Sequence, residues 1–178
     1  MNKVFFFHCP KAGGTSIRMA LENATPEDLI SPLIENDPVG HASQLNYDSF
    51  LGYHLYAGHY GKDVFDKVND GHLIITNFRH PASRIISLYN FFRDQVTMSA
   101  ETLSEERYHV VKFAKENSFK AFVTSNDPKV ALYTRNQHVR QLTRSPWESA
   151  PGKLDDAQSL VLSMACYYVC EYAGLSST

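Results

Sequence analysis

Cysteine is scarce in this chain: Cys9, Cys166 and Cys170 are the only three, an odd set with no histidines beside them at metal-ligand spacing. That argues against a disulfide framework or a zinc site and predicts buried free thiols and no bound metal. Charge of either sign is also short. The formal net charge is -2, so no global positive field draws in nucleic acid or an anionic membrane surface, and any anionic ligand must meet local positive groups. Long apolar runs are missing. The amino end passes from Met1-Asn2-Lys3 into the brief run Val4 to Phe7, too short for a signal sequence or a membrane span, which points to a cytoplasmic protein. What is present is 43% hydrophobic and 12% aromatic content over 178 residues, enough for one substantial core, so a single domain over residues 1–178 is expected.

Lys3 to Cys9 reads as a buried strand that runs into a loop at Pro10 and Gly13-Gly14. Ile17, Ala20, Leu21 and Ala24 then recur at helical spacing, directly after Thr15 and Ser16, which suit amino-terminal caps. Thr25 to Phe50 predicts a short helix and an irregular connection broken by Pro32, Pro38 and Gly40. Strands are predicted over Tyr53 to Ala57 and Leu73 to Asn77, and Pro81 opens a second helix with the stripe Ile85, Leu88, Tyr89 and Phe92. Further helices are predicted from Ser104 to Asn117, Ser118 to Thr124 and Asp155 to Cys170, the last with Ala157, Leu160, Val161, Met164 and Tyr168 on one face. Strands alternating with helices predict a three-layer, P-loop-like α/β fold with a mainly parallel central sheet flanked by helices. Its ligands bind beyond the carboxyl ends of the strands.

Two loops carry chemistry. Lys11-Ala12-Gly13-Gly14-Thr15-Ser16 lies between a strand and a helix, where backbone N–H groups converge at the positive end of the helix dipole. Gly13 and Gly14 allow close approach, Thr15 and Ser16 add hydroxyls, and Lys11 adds a mobile charge, a set suited to phosphate or sulfate. Lys11 precedes the glycine pair, so the loop departs from the Walker A order of an ordinary ATPase. The bland alternative is a tight turn, a capped helix and a solvated lysine. In the second loop Arg79 stands at a strand end and Ser87 two turns into the next helix, a planar fork and a hydroxyl fit to grip another phosphate. Arg84, one turn before Ser87, either shares its face or is an exposed helical charge.

Phe6-Phe7-His8-Cys9-Pro10-Lys11-Ala12-Gly13-Gly14-Thr15-Ser16 resembles the 5'-phosphosulfate loop of the sulfotransferases that use 3'-phosphoadenosine 5'-phosphosulfate (PAPS). The segment Arg79 to Tyr89 resembles their 3'-phosphate motif. Asn136-Gln137-His138-Val139-Arg140-Gln141-Leu142 is similar to the N-x-Q-x-R-x-L segment of the carbohydrate branch, which includes the heparan and uronyl O-sulfotransferases, and Tyr172-Ala173-Gly174-Leu175-Ser176 to a late strand of that branch. Ser177 stands where the family often has Glu, and relatives continue past the position of Thr178, so the resemblance implies either a member truncated at the carboxyl end or a minimal one.

The resemblance implies a PAPS-dependent O-sulfotransferase that moves the sulfuryl group by in-line displacement to an acceptor hydroxyl on a carbohydrate, without a metal. It makes Lys11 the residue that neutralises charge on the bridging oxygen. Gly13, Gly14, Thr15 and Ser16 fall to the 5'-phosphate, Arg79 and Ser87 to the 3'-phosphate, and Arg140 to a phosphate of the same nucleotide. A base must take the acceptor's proton, and a neutral histidine suits that near pH 7. Among eight histidines, His59 in Ala57-Gly58-His59 resembles the Gly-His segment carrying the catalytic histidine of the uronyl 2-O branch. His54 and His41 are reserves, and a Glu or Asp is the alternative. Lys62, Lys67, Arg93 and Arg107 either line an acceptor cleft or are solvated surface charges. The competing functions are an ATP-dependent phosphoryl transferase and a nucleotide-binding module without turnover.

Overall fold

The structure, a computed structural model, describes residues 2–32, 50–143 and 153–170. The predicted motif Tyr172 to Ser176 and the reserve His41 lie outside the described residues. Among those described, the strands are β1 (Val4–Phe7), β2 (Leu55–Gly58), β3 (Leu73–Arg79) and β4 (Cys166–Cys170). They lie in the order β2-β1-β3-β4 and every pair is parallel, the α/β architecture expected. The helices are α1 (Thr15–Asn23), α2 (Lys62–Val68), α3 (Pro81–Asn90), α4 (Ala100–Ser104), α5 (His109–Glu116), α6 (Phe119–Thr124), α7 (Pro128–Thr134), α8 (Gln137–Thr143) and α9 (Leu154–Leu162). None of the described helices is long and apolar enough to cross a membrane.

β1 is apolar at every position because both faces of the sheet are covered. Phe5 and Phe7 point to one side, into a cluster with Tyr56, Phe65 of α2, Leu142 of α8 and Ala157 of α9. Phe6 points to the other, with Leu55 and Ala57, against Ile17 and Leu21 of α1. A second apolar cluster stands apart from the sheet, where Leu88 and Tyr89 of α3 meet Val110 and Val111 of α5, Phe122 of α6 and Val130 of α7.

Two predicted helices are corrected. The segment 104–117 divides into α4, a 3-10 turn at Glu106–Tyr108, and α5, with extended backbone at Glu105. Ser104-Glu105-Glu106-Arg107 offers no apolar side chain to hold that stretch against the core. The segment 155–170 is helical only to Leu162, after which Cys166 to Cys170 pair with Ile75 to Arg79. Tyr167, Tyr168 and Val169 favour a strand, and the ladder with β3 satisfies backbone groups that a longer helix would have kept to itself. Ala157, Leu160, Val161 and Met164 still join the core, but Tyr168 leaves their face. The cysteine expectation changes with it: Cys9 is buried, Cys166 exposed and Cys170 half-buried.

The connection after β1 leads to β2 on one side, and that after β3 leads to β4 on the other. These loops diverge between the carboxyl ends of β1 and β3, the topological switch point at which open α/β sheets bind ligands. Both loops singled out from the sequence open there.

Candidate functional site

The loop after β1 is pinned to β3 by buried polar side chains. Asn77, fully buried, accepts a hydrogen bond from the Cys9 N–H at 2.9 Å, and Thr76 Oγ1 donates to the Phe7 carbonyl at 2.9 Å. The Arg79 guanidinium donates to the Lys11 carbonyl at 3.2 Å, so the two loops are tied together at the two cations. The turn requires left-handed backbone at Lys11 (φ 61°) and Gly13 (φ 80°). Gly14, not Thr15 or Ser16, is the N-cap of α1, and those two hydroxyl residues are exposed in its first turn. The thiol of Cys9 is pushed up to about 12 by burial, against its hydrogen bond with Thr76 and the charge of Arg84, so it is an inert core group.

Positive potential collects at this switch point. Lys11 Nζ lies 4.2 Å from the centre of the Phe91 ring, and burial, then the charge of Arg79, lowers its pKa below the ordinary lysine value. Two cations that raise one another's free energy bind an anion more tightly, because it relieves their repulsion. The helix termini add to this. Neither α1 nor α3 has a capping side chain or an acidic residue in its first turn. α5 shares this lack, whereas α4, α6 and α7 are capped by Ser99, Ser118 and Asp127, and α2 and α9 carry acidic residues in their first turns. The uncapped N–H groups of α1 and α3 thus open at the ends of β1 and β3.

Ser87 is half-buried six residues into α3, about 9 Å along its axis from Pro81, and addresses a different part of a ligand from the helix terminus. Arg84 is not a surface charge. It is buried, with its guanidinium donating to Gln137 Oε1 at 2.8 Å and the Tyr133 carbonyl at 2.7 Å, and desolvation lowers it to about 10. Arg140 is also buried and donates to the carbonyls of Arg135 and Leu132. The structure therefore brings Lys11, Gly13, Gly14 and Arg79 together at the switch point, and uses Arg140 to tie off the carboxyl end of α7.

His59 follows β2 at the same end of the sheet and is half-exposed. Its Nδ1 lies 2.8 Å from the His8 carbonyl. A carbonyl can only accept, so Nδ1 carries a proton, which leaves Nε2 as the nitrogen through which a base would act. His54 precedes β2, where its backbone pairs with Leu29 and Val4 at the opposite end of the sheet from Lys11. His80 is the exposed N-cap of α3 and His109 pairs with Asp127 at 2.6 Å. Lys62 and Arg107 sit in ion pairs with Asp66 and Glu105, which neutralises them as cleft cations.

His8 lies beneath the loop, stacked on Phe6 with ring centres 5.2 Å apart, and its ring is 4.7 Å from that of His59. Its pKa falls to about 3, first through burial and then through the charges of His59 and Arg18, so the folded protein holds it neutral. Unfolded, it titrates near 6.5, and between these values the unfolded chain binds more protons. Stability present above 6.5 is therefore lost as pH falls toward 3, and His138, lowered to about 4 by burial, acts in the same direction. Moving from pH ~7 to ~5 is expected to cost about 2 kcal/mol from His8 alone, seen as a lower urea midpoint, with the loss reduced in His8→Phe.

Asn77, Phe91 and Gln141 carried no assigned role in the sequence. A polar residue ending the apolar run Leu73 to Thr76 was the available sign for Asn77, whereas nothing local marks Phe91 or Gln141. No protein-family model, curated protein or solved structure matches the chain.

Proposed function

We propose that this chain is a PAPS-dependent O-sulfotransferase acting on a hydroxyl of a carbohydrate. The observation that carries the reading is the union of Lys11 and Arg79 at the switch point, joined through the Lys11 carbonyl beside two uncapped helix termini. Adenosine 3',5'-bisphosphate has two phosphates, and the site offers two anion positions. The N–H groups at Gly13, Gly14 and the start of α1 suit the 5' group, and Arg79 with Ser87 suits the 3' group. Arg140 is left out of this ligand set because its guanidinium ends on carbonyls.

PAPS supplies the sulfuryl group. The acceptor oxygen attacks sulfur as the bond from sulfur to the 5'-phosphate oxygen breaks, and the electron pair stays on that oxygen. Lys11 sits in the same loop as the 5' anion position and offsets the charge gained there. His59, with its proton fixed on Nδ1, receives the acceptor's proton on Nε2.

Calorimetry with adenosine 3',5'-bisphosphate, AMP and ATP tests the nucleotide. Native protein is expected to prefer the bisphosphate over AMP, and Arg79→Ala to lose about 10- to 100-fold of that preference, the worth of one charge-assisted hydrogen bond. Equal binding of AMP and bisphosphate by the native protein overturns the reading. Magnesium-dependent turnover of ATP would replace it with phosphoryl transfer.

A further inference from the structure

We propose that Gln141, a fully buried side chain of α8, is a positioning residue for His59. This inference rests on the reading of His59 as the base. Gln141 Nε2 donates to two backbone carbonyls, that of Tyr60 at 2.8 Å and that of His8 at 3.2 Å. Both partners can only accept, so the amide orientation is forced. The His8 carbonyl is also the one that receives Nδ1–H of His59 at 2.8 Å. One amide therefore holds the residue after His59 and the acceptor to which the imidazole is anchored.

The arrangement spans three elements: the end of β1, the end of β2 and the core-facing side of α8. His59 leaves the sheet after Gly58, and its ring is anchored by a hydrogen bond to the neighbouring strand's loop. By fastening Tyr60 and His8 to the same nitrogen, Gln141 keeps that bond at working length. Removing the amide takes away one of the ties between the β2 and β1 loops, beside the bond from His8 N–H to the Gly58 carbonyl, and lets the imidazole take the Nε2–H tautomer, in which the nitrogen facing the acceptor is already protonated.

The test is a double-mutant cycle of Gln141→Met with His59→Ala, read by transfer of labelled sulfate from PAPS to a glycan panel and by bisphosphate calorimetry. Gln141→Met is expected to lower kcat by about tenfold, to leave the bisphosphate Kd within about twofold, and to have no further effect in the His59→Ala background. An equal loss of kcat in both backgrounds, or none in either, overturns the proposal. Nitrogen-15 spectra of the His59 ring give a readout that does not need turnover. Nδ1–H is expected in the native protein and Nε2–H in Gln141→Met, and the same tautomer in both overturns the proposal. If native protein transfers sulfate to no acceptor, the sulfotransferase reading fails while the spectra still decide the role of Gln141. Should Gln141→Met fail to fold, Gln141→Leu takes its place under the same criteria.

Discussion

Lys11→Gly is expected to fold at least as stably as the native chain and to lose about 10²- to 10³-fold in sulfuryl transfer. The two effects separate because different parts of Lys11 cause them. Its backbone sits at φ 61°, where a residue with a Cβ is strained by roughly 1–2 kcal/mol and glycine is not. Its ammonium is partly desolvated and repelled by Arg79, so removing it takes away an unfavourable charge from the free protein. Against this stand the cation–π contact with Phe91 and glycine's greater freedom in the unfolded chain, each worth up to about 1 kcal/mol. Melting temperature and kcat measured on the same preparation check the expectation. A large drop in both would mean that Lys11 holds the loop together rather than serving transfer. Unchanged transfer would remove it from the mechanism.

Gly14→Ala is expected to be the most damaging single change in the loop. A Cβ at Gly14 would stand 2.3 Å from His8 Cδ2, 2.6 Å from His8 Nε2 and 2.9 Å from Asn77 Nδ2, and all three atoms are buried side-chain atoms with no room to retreat. Relief requires either displacing His8 from its stack on Phe6 or lifting α1 from the end of β1. Overpacking of this kind costs about 1–3 kcal/mol or more, and the lifted helix takes its N–H groups away from the anion position. Thermal unfolding and bisphosphate calorimetry should both fall. The diagnostic is the pair: His8→Ala makes space for the methyl, so adding Gly14→Ala in that background should cost much less than in the native chain. Equal costs in the two backgrounds would show that the damage comes from the backbone of the loop and not from the imidazole beneath it.

These expectations draw unequally on the sequence. The strand, glycine loop and helix of residues 4–23 were legible because every signal was local: an apolar run, adjacent glycines and a helical stripe within two dozen positions. Arg79 was legible for the same reason, as a fork of donors at the end of a β-branched run. Arg84 and Arg140 were not, because an arginine's partners are chosen by tertiary proximity. Carbonyls of Tyr133, Leu132 and Arg135 claim both side chains where α7 meets α8. The assignment of Cys166 to Cys170 as helix failed on the same ground, since a short segment takes the conformation whose hydrogen-bond partners are on offer, and here those were on β3.

By itself the sequence determined that strands would alternate with helices, that both faces of the first strand would be buried, and that a glycine loop without a Walker lysine would follow it. Periodicity and glycine placement are properties of neighbouring residues. Only the tertiary structure decided that β3 lies beside β1, which brings Arg79 to the Lys11 carbonyl, and that His54 falls at the far end of the sheet while His59 stands at the near one. It also decided that Gln141, more than eighty residues from His59, closes on the two carbonyls around that side chain. Pairing order and packing join positions distant in the chain, and no local pattern specifies which distant partner a buried polar group will meet.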